Sequence, residues 1–321
     1  MLLEVYDRLK FLYPETCTQL FGSKIDGSNT LWMSINAEGH PGLLFESFKD
    51  DFQPDLKLKS VEVKFSRPCD IQLQDGKILS GNYTLVSLSN DDPDIIRVFL
   101  RLLEEAFCIP DADHSSIAIR KQILSIADLF SRVNEEIKDV LGLWGELNLI
   151  RNSTNIRAAV RAWTSSSNAR FDFITKNYAI EVKTTLKSKR VHRFTLEQLC
   201  PKEDFTIYIV SYLLIETPNG ETVSDLMDFI YENLECSEER GSFFRNCLVR
   251  GGLDIYGSEL CFSDLPNNTS IAVFEANKLP VPYVKLDYPI SNVRFDLDLS
   301  NFQALSNEPY SSLLNFGKNK G

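Results

Sequence analysis

Apolar residues recur at helical spacing from Leu2 to Tyr13 and stop at Pro14, which predicts one amphipathic helix over residues 2–13. From Leu31 to Ser89 the pattern becomes that of strands. Residues 31–35 and 42–46 are short apolar runs, and 57–65 alternates at period two through Leu58, Val61, Val63 and Phe65. Gly76 and Gly81 punctuate the strands that follow. Asn90-Asp91-Asp92-Pro93 starts a helix, with an acid cap and proline in the first turn. Helices are predicted over 94–108, 116–132 and 134–152, with a break at 109–113. Strands are predicted next over 170–175, 178–186, 190–194 and 205–214. A helical region over 223–247 and β-like text over 259–302 complete the order. This succession predicts an α+β fold, a mixed sheet flanked by helices. It divides into a β-rich unit over 1–90, a helical segment and β-centred core over 91–216, and a helix pair with a β-rich part over 217–321. Only the tail 317–321 reads as unstructured.

Composition removes several classes. No run of eighteen apolar residues occurs, so no membrane span is expected. Glu4 comes early and no small-residue cleavage site follows, so the start reads as a helix and not as a leader. The seven cysteines are odd in number, scattered and free of any C-x-x-C pair, and the three histidines stand far apart. This argues against a zinc site or a disulfide framework and fits reduced cysteines in a cytoplasmic protein. No phosphate-binding glycine loop, nucleophile elbow or Cys-His pair supports a small-molecule enzyme.

The net charge is −11, which at first argues against nucleic acid. Its distribution reverses that reading. Residues 151–196 hold ten Lys and Arg against two acids, a net of +8 that leaves −19 for the remainder. Those two acids are Asp172 and Glu181.

Both lie in a stretch, 170–183, that pairs as a hairpin if its turn is centred on Lys176 and Asn177. Phe173 then faces Ile180, Phe171 faces Val182, and Asp172 lies opposite Glu181, about 5 Å away on the other side of the ribbon. Like charges opposed on a half-buried face call for a cation. Arg170 opposite Lys183 supplies part of it, and a hard divalent ion on the carboxylate oxygens would supply more. Spacing of this kind also occurs in solvated hairpins, but here the charges interrupt apolar text, where an unpartnered carboxylate is costly.

Glu146 adds a third carboxylate. It falls between Leu143 and Leu149 in a helix that is apolar nearly all round, and Gly142 and Gly145 would let that helix approach the sheet. It reads either as a member of the same site or as a helix-surface residue beside Asn148. Lys187, Lys189, Arg190, His192 and Arg193 follow the Glu-x-Lys strand. They form either a solvated loop or a phosphate-binding surface.

Together, Glu146, Asp172, Glu181-Val182-Lys183 and the following strand and short helix with Gln198 resemble the PD-(D/E)XK nuclease superfamily. More narrowly, residues 142–147, 180–183, 192–199 and 205–211 and the text near Tyr288-Pro289 are similar to a bacterial family of PD-(D/E)XK motif proteins. The resemblance implies a restriction-endonuclease-like core that hydrolyses phosphodiester bonds in DNA with Mg2+ or Mn2+. Asp172, Glu181 and Glu146 would be metal ligands, and Lys183 and Gln198 would join them in catalysis. Arg170, Lys187, Lys189, Arg190, His192 and Arg193 would contact DNA. It further implies a phage-defence setting with ATPase-type partners, and it admits a homodimer. Phe171 stands where the nominal motif has proline, a position without a chemical role. Gln198 also completes a Thr195-Leu196-Glu197-Gln198 capping box, so its role stays divided. The rival reading is a silent nuclease-fold subunit that binds DNA or assembles a defence complex through the acidic flanks.

Overall fold

The computed structural model describes residues 1–14, 17, 19–28, 30–47, 53–135, 139–164, 169–199, 206–253, 255–264, 270–282, 293–305, 313 and 315–316. The tail at 317–321, the text near Tyr288-Pro289 and Cys200 lie outside these residues. The chain is mixed α and β and forms two compact units, Met1–Glu136 with Gly252–Asp254, and Ile137–Gly251 with Ile255–Gly321. No helix among the described residues is long and apolar enough to cross a membrane.

The first unit holds α1 (Leu2–Leu12), six strands, and then α2 (Pro93–Phe107) and α3 (Ser116–Glu135). The strands are β1 (Leu20–Lys24), β2 (Leu31–Ile35), β3 (Pro41–Glu46), β4 (Leu56–Lys57), β5 (Val61–Gln72) and β6 (Ile78–Leu88). Their order is β1-β2-β3-β6-β5-β4, and β1 also pairs in parallel with the end of β5, so the sheet curls back on itself. A bulge between Lys64 and Arg67 bends β5, and Ser66 takes a positive φ of 48° there. Asp92 caps α2 as its sequence predicts, accepting from the Asp94 and Ile95 N–H groups with Pro93 in the first turn. Because α2 buries an entire apolar face, including Ile96, Phe99, Leu103 and Phe107, it joins the first unit.

The second unit is built on β10 (Thr206–Glu221). Along one edge it pairs in parallel with β8 (Tyr178–Thr185), which in turn pairs antiparallel with the two-residue β7 (Phe173–Ile174). Along its other edge β12 (Ile271–Glu275) and β11 (Phe262–Asp264) pair with successive halves of it. A separate ribbon joins β9 (Val191–Thr195) to β13 (Arg294–Asp298). The helices are α4 (Val140–Arg151), α5 (Ile156–Ala162), α6 (Leu196–Leu199), α7 (Val223–Glu232) and α8 (Ser237–Gly251). Asp139 caps α4 through the Gly142 N–H, and Trp144 donates its indole N–H to the Glu221 carbonyl at 2.8 Å. Every residue of α4 from Leu143 to Ile150 is buried, as its all-round apolar text demands.

Gly145 sets the contact between α4 and β8. A Cβ there would lie 2.3 Å from Thr184 Cγ2 and 3.2 Å from Val182 Cγ1, closer than packed carbons tolerate. At Gly142 the nearest atoms to a Cβ belong to the Asp139 cap and not to the sheet. Gly145→Ala is expected to cost about 1–3 kcal/mol by overpacking. A fall in the urea midpoint, recovered in part by adding Thr184→Ser, checks this.

Candidate active site

The β7–β8 hairpin has the register expected from the sequence, with Phe173 opposite Ile180 and Ile174 opposite Ala179. The ladder stops there. A continued ladder would turn the Val182 N–H toward Phe171, but the chain diverges before Phe173. The Asp172 carboxylate takes the vacated place, its Oδ2 accepting from the Val182 N–H at 2.8 Å. The Phe171 carbonyl accepts instead from the Thr164 hydroxyl at 2.8 Å, and its ring packs with Ala179, Phe194 and Leu199. Asp172 is thus fixed at a fork between two strands and not within a continuous sheet.

Glu181 projects from β8 beside that fork and is 4% exposed. Its Oε1 accepts from Lys183 Nζ and from Gln198 Nε2, each at 2.6 Å. The Lys183 ammonium also stands 5.3 Å from the centre of the Phe194 ring, a cation–π distance. Gln198 makes the capping contact read from its sequence, its Oε1 accepting from the Thr195 N–H at 3.0 Å, and its amide also reaches Glu181.

Glu146 reaches the same cluster from α4 and is 6% exposed. Its Oε2 accepts from the Trp163 indole N–H at 2.5 Å, and Arg250 Nη1 donates to both of its oxygens. Arg250 comes from the last turn of α8. Its Nη2 donates to the Thr164 carbonyl at 2.9 Å, and the guanidinium lies 5.2 Å from the Trp163 ring centre. Nη1 also stands 3.8 Å from Asp172 Oδ1.

Three carboxyls therefore converge on two cations, Lys183 and Arg250, so with all three ionised one negative charge is uncompensated in a site closed to most water. Burial, followed by the Asp172 charge, pushes the Glu181 carboxyl up to about 8 against the opposing pull of Lys183 and Arg250. Burial and Asp172 also raise Glu146 well above the carboxylate range, while Arg250 and Trp163 oppose them. Burial raises Asp172, opposed by the Val182 N–H, Arg250 and Lys183. Hard oxygen donors with a surplus negative charge are what a divalent cation stabilises, so the residues fit such an ion. Among the described residues no set of three or more His, Cys, Asp and Glu already stands in metal-holding geometry.

A family model described as "Putative PD-(D/E)XK family member (DUF4420)" matches residues 20–264, a span that includes Glu146, Asp172, Glu181, Lys183, Gln198 and Arg250. The chain belongs to this PD-(D/E)XK family. No curated protein and no solved structure matches it.

Within this family member the basic residues read from the sequence separate into two groups. Lys187, Lys189 and Arg193 are exposed, and Arg193 pairs with Asp296 across the β9–β13 ribbon at 2.9 Å. Arg190 and His192 are buried, contrary to the expectation that they face phosphates. Arg190 donates to the Ser211 carbonyl at 2.6 Å and to the Ser270 carbonyl at 3.1 Å. His192 Nε2 meets Ser211 Oγ at 2.7 Å. Burial lowers His192 to about 4, so it is neutral at pH 7. The reason is strand alternation: His192 and Phe194 point inward and Arg193 outward, although the run reads as uniformly basic. Arg170 does not balance the carboxylates either, since its guanidinium lies over the Phe171 ring and reaches the Glu197 carbonyl.

Sequence reading missed Arg250 and Trp163. The only local signal at Arg250 is a cation in the last turn of a helix, which is common for reasons of helix dipole alone. Trp163 falls inside the basic window but carries no motif.

Proposed function

We propose that this protein is an endonuclease that hydrolyses phosphodiester bonds in DNA with Mg2+ or Mn2+ held by Asp172 and Glu181. The observation that carries this reading is the fork in the β7–β8 ladder, which gathers Asp172, Glu181, Lys183 and Gln198 at one buried point. A divalent ion bound there would polarise the scissile phosphate and lower the pKa of a water. Lys183, held beside Glu181, donates hydrogen bonds to the attacking water and to the charge that develops on the phosphate. Gln198 holds Glu181 in place through one oxygen and leaves the other to the ion. Lys187 and Lys189, exposed after β8, supply positive charge for flanking phosphates. Work in a restriction or anti-phage system with ATPase-type partners is the setting that the family resemblance supports.

A second reading has one observation in its favour. Arg250 and Lys183 already offset most of the negative charge, as in a nuclease fold retained for DNA binding or assembly. Incubation of plasmid with the protein and Mg2+, Mn2+ or EDTA separates the two. Cleavage that needs the ion and is lost in Asp172→Ala supports the enzyme. Retention of DNA without cleavage, unchanged by that substitution, overturns it.

Ion binding has its own readout. An ion at ten times its Kd adds about 1.4 kcal/mol. At roughly 2–4 °C per kcal/mol for a folding unit of about 150–250 residues, Mn2+ is expected to raise the melting temperature of the unit that holds the site by about 3–6 °C. The rise should vanish in Asp172→Ala, as a thermal melt in Mn2+ against EDTA will show.

A further inference from the structure

Arg250 is a fixed charge inside the carboxylate cluster, and the way it is held sets how many ions the cluster takes. Both oxygens of Glu146 are occupied, Oε2 by the Trp163 indole and both by Arg250 Nη1. Neither donor withdraws easily. An indole N–H does not ionise at any ordinary pH, and it cannot turn into an acceptor or a ligand. The guanidinium is anchored a second time, on the Thr164 carbonyl, and is stacked against the same Trp163 ring. For Glu146 to coordinate an ion, a cation would have to enter beside a guanidinium that keeps its charge.

Asp172 and Glu181 differ. The N–H donors reach one oxygen of each, Oδ2 from the Val182 N–H, and Oε1 from Lys183 and Gln198, while the Asp172 carboxyl also lies within hydrogen-bond reach of Glu146. Oδ1 and Oε2 are the oxygens that those bonds do not use. Charge gives the same division. With all three carboxyls ionised, Glu146 with Arg250 is neutral, whereas Asp172 and Glu181 with Lys183 carry the surplus negative charge.

We propose that Arg250 is a resident cation that takes the place of a second metal ion: it keeps Glu146 out of the metal shell, so one divalent ion binds, on Asp172 and Glu181. This rests on the metal-dependent nuclease reading and fixes its stoichiometry. Arg250 and Trp163 are then positioning residues. Their contact with Glu146 aligns α4 and α8 around the fork and places a permanent positive charge 3.8 Å from Asp172, beside the ion.

Mn2+ binding to the full chain, followed by loss of the free-ion electron paramagnetic resonance signal, tests this without any cleavage assay. Wild type is expected to bind one Mn2+ per chain. Glu146→Gln should bind one with affinity within about threefold of wild type, and Asp172→Ala should bind none. Arg250→Met frees Glu146 and should admit a second, weaker ion, while Arg250→Lys, which keeps a cation, should stay at one. Circular dichroism confirms that each variant is folded, and Glu146→Gln remains decisive even if Arg250→Met does not fold. Two ions on wild type, or a tenfold or greater loss of affinity in Glu146→Gln, would make Glu146 a ligand and overturn the proposal while leaving the nuclease reading intact. No Mn2+ on wild type would instead remove the metal site itself and this inference with it.

Discussion

Lys183→Ala is expected to slow single-turnover DNA cleavage by about 10²–10³-fold while Mn2+ still binds. The ammonium sits 2.6 Å from Glu181 Oε1 at the buried fork. It is a point charge with three donors, so it can hold Glu181 and a water at once. On the proposed nuclease reading, alanine would remove the donor that stabilises charge on the reacting phosphate, but Asp172 and Glu181 would remain to hold the ion. Removing the ammonium even raises the demand for a cation there. Asp172→Ala should lose cleavage and ion binding together, and that dissociation between the two variants separates the roles. Equal loss of Mn2+ affinity in both would mean that Lys183 acts only by shaping the metal site. Wild-type cleavage by Lys183→Ala would remove it from the chemistry altogether.

The second large effect is on stability. Arg250→Ala is expected to cost about 3 kcal/mol, the lower end of the loss when one partner of a buried ion pair is deleted. Arg250 is 22% exposed and its partner Glu146 only 8%, so deletion strands the carboxylate more than it frees the guanidinium. The loss should depend on pH. Glu146 is already raised above its ordinary value of 4.5, and removal of Arg250 raises it further. A carboxyl whose folded pKa exceeds its unfolded one favours the folded state at low pH, and that advantage is lost as pH rises through the folded value. Both folded proteins keep the Glu146 proton below the raised wild-type value, so the urea midpoint of Arg250→Ala should fall further relative to wild type only as pH climbs through that value, with the smallest difference below it. Mn2+ should recover part of the deficit by entering beside Glu146. A deficit independent of pH would mean that the guanidinium contributes through packing on Trp163 and not through charge.

How much of this was legible in the text varies with the range of the interaction. Local patterns carried far: the alternation of Lys57 to Phe65, the Asp92-Pro93 helix start and the all-round apolar character of α4 each correspond to an element. Hairpin register is also local, so Phe173 opposite Ile180 could be read from a turn and a face. A period of two applied to Val191 to Thr195 would have shown His192 turned inward. Strand β1 and helix α5 were not read, because short elements owe their form to tertiary packing more than to propensity.

By itself the sequence determined which residues are chemically able to form a site, namely Glu146, Asp172, Glu181, Lys183 and Gln198, because residue type and near spacing are written in it. Only the tertiary structure decided what balances them. Arg250 meets Glu146 from 104 positions away, and the divergence of the strand at Asp172 turns an expected ladder pair into a carboxylate capping the Val182 N–H. A long-range ion pair leaves no periodic trace along the chain, because its energy depends on distance and burial in space and not on separation in sequence.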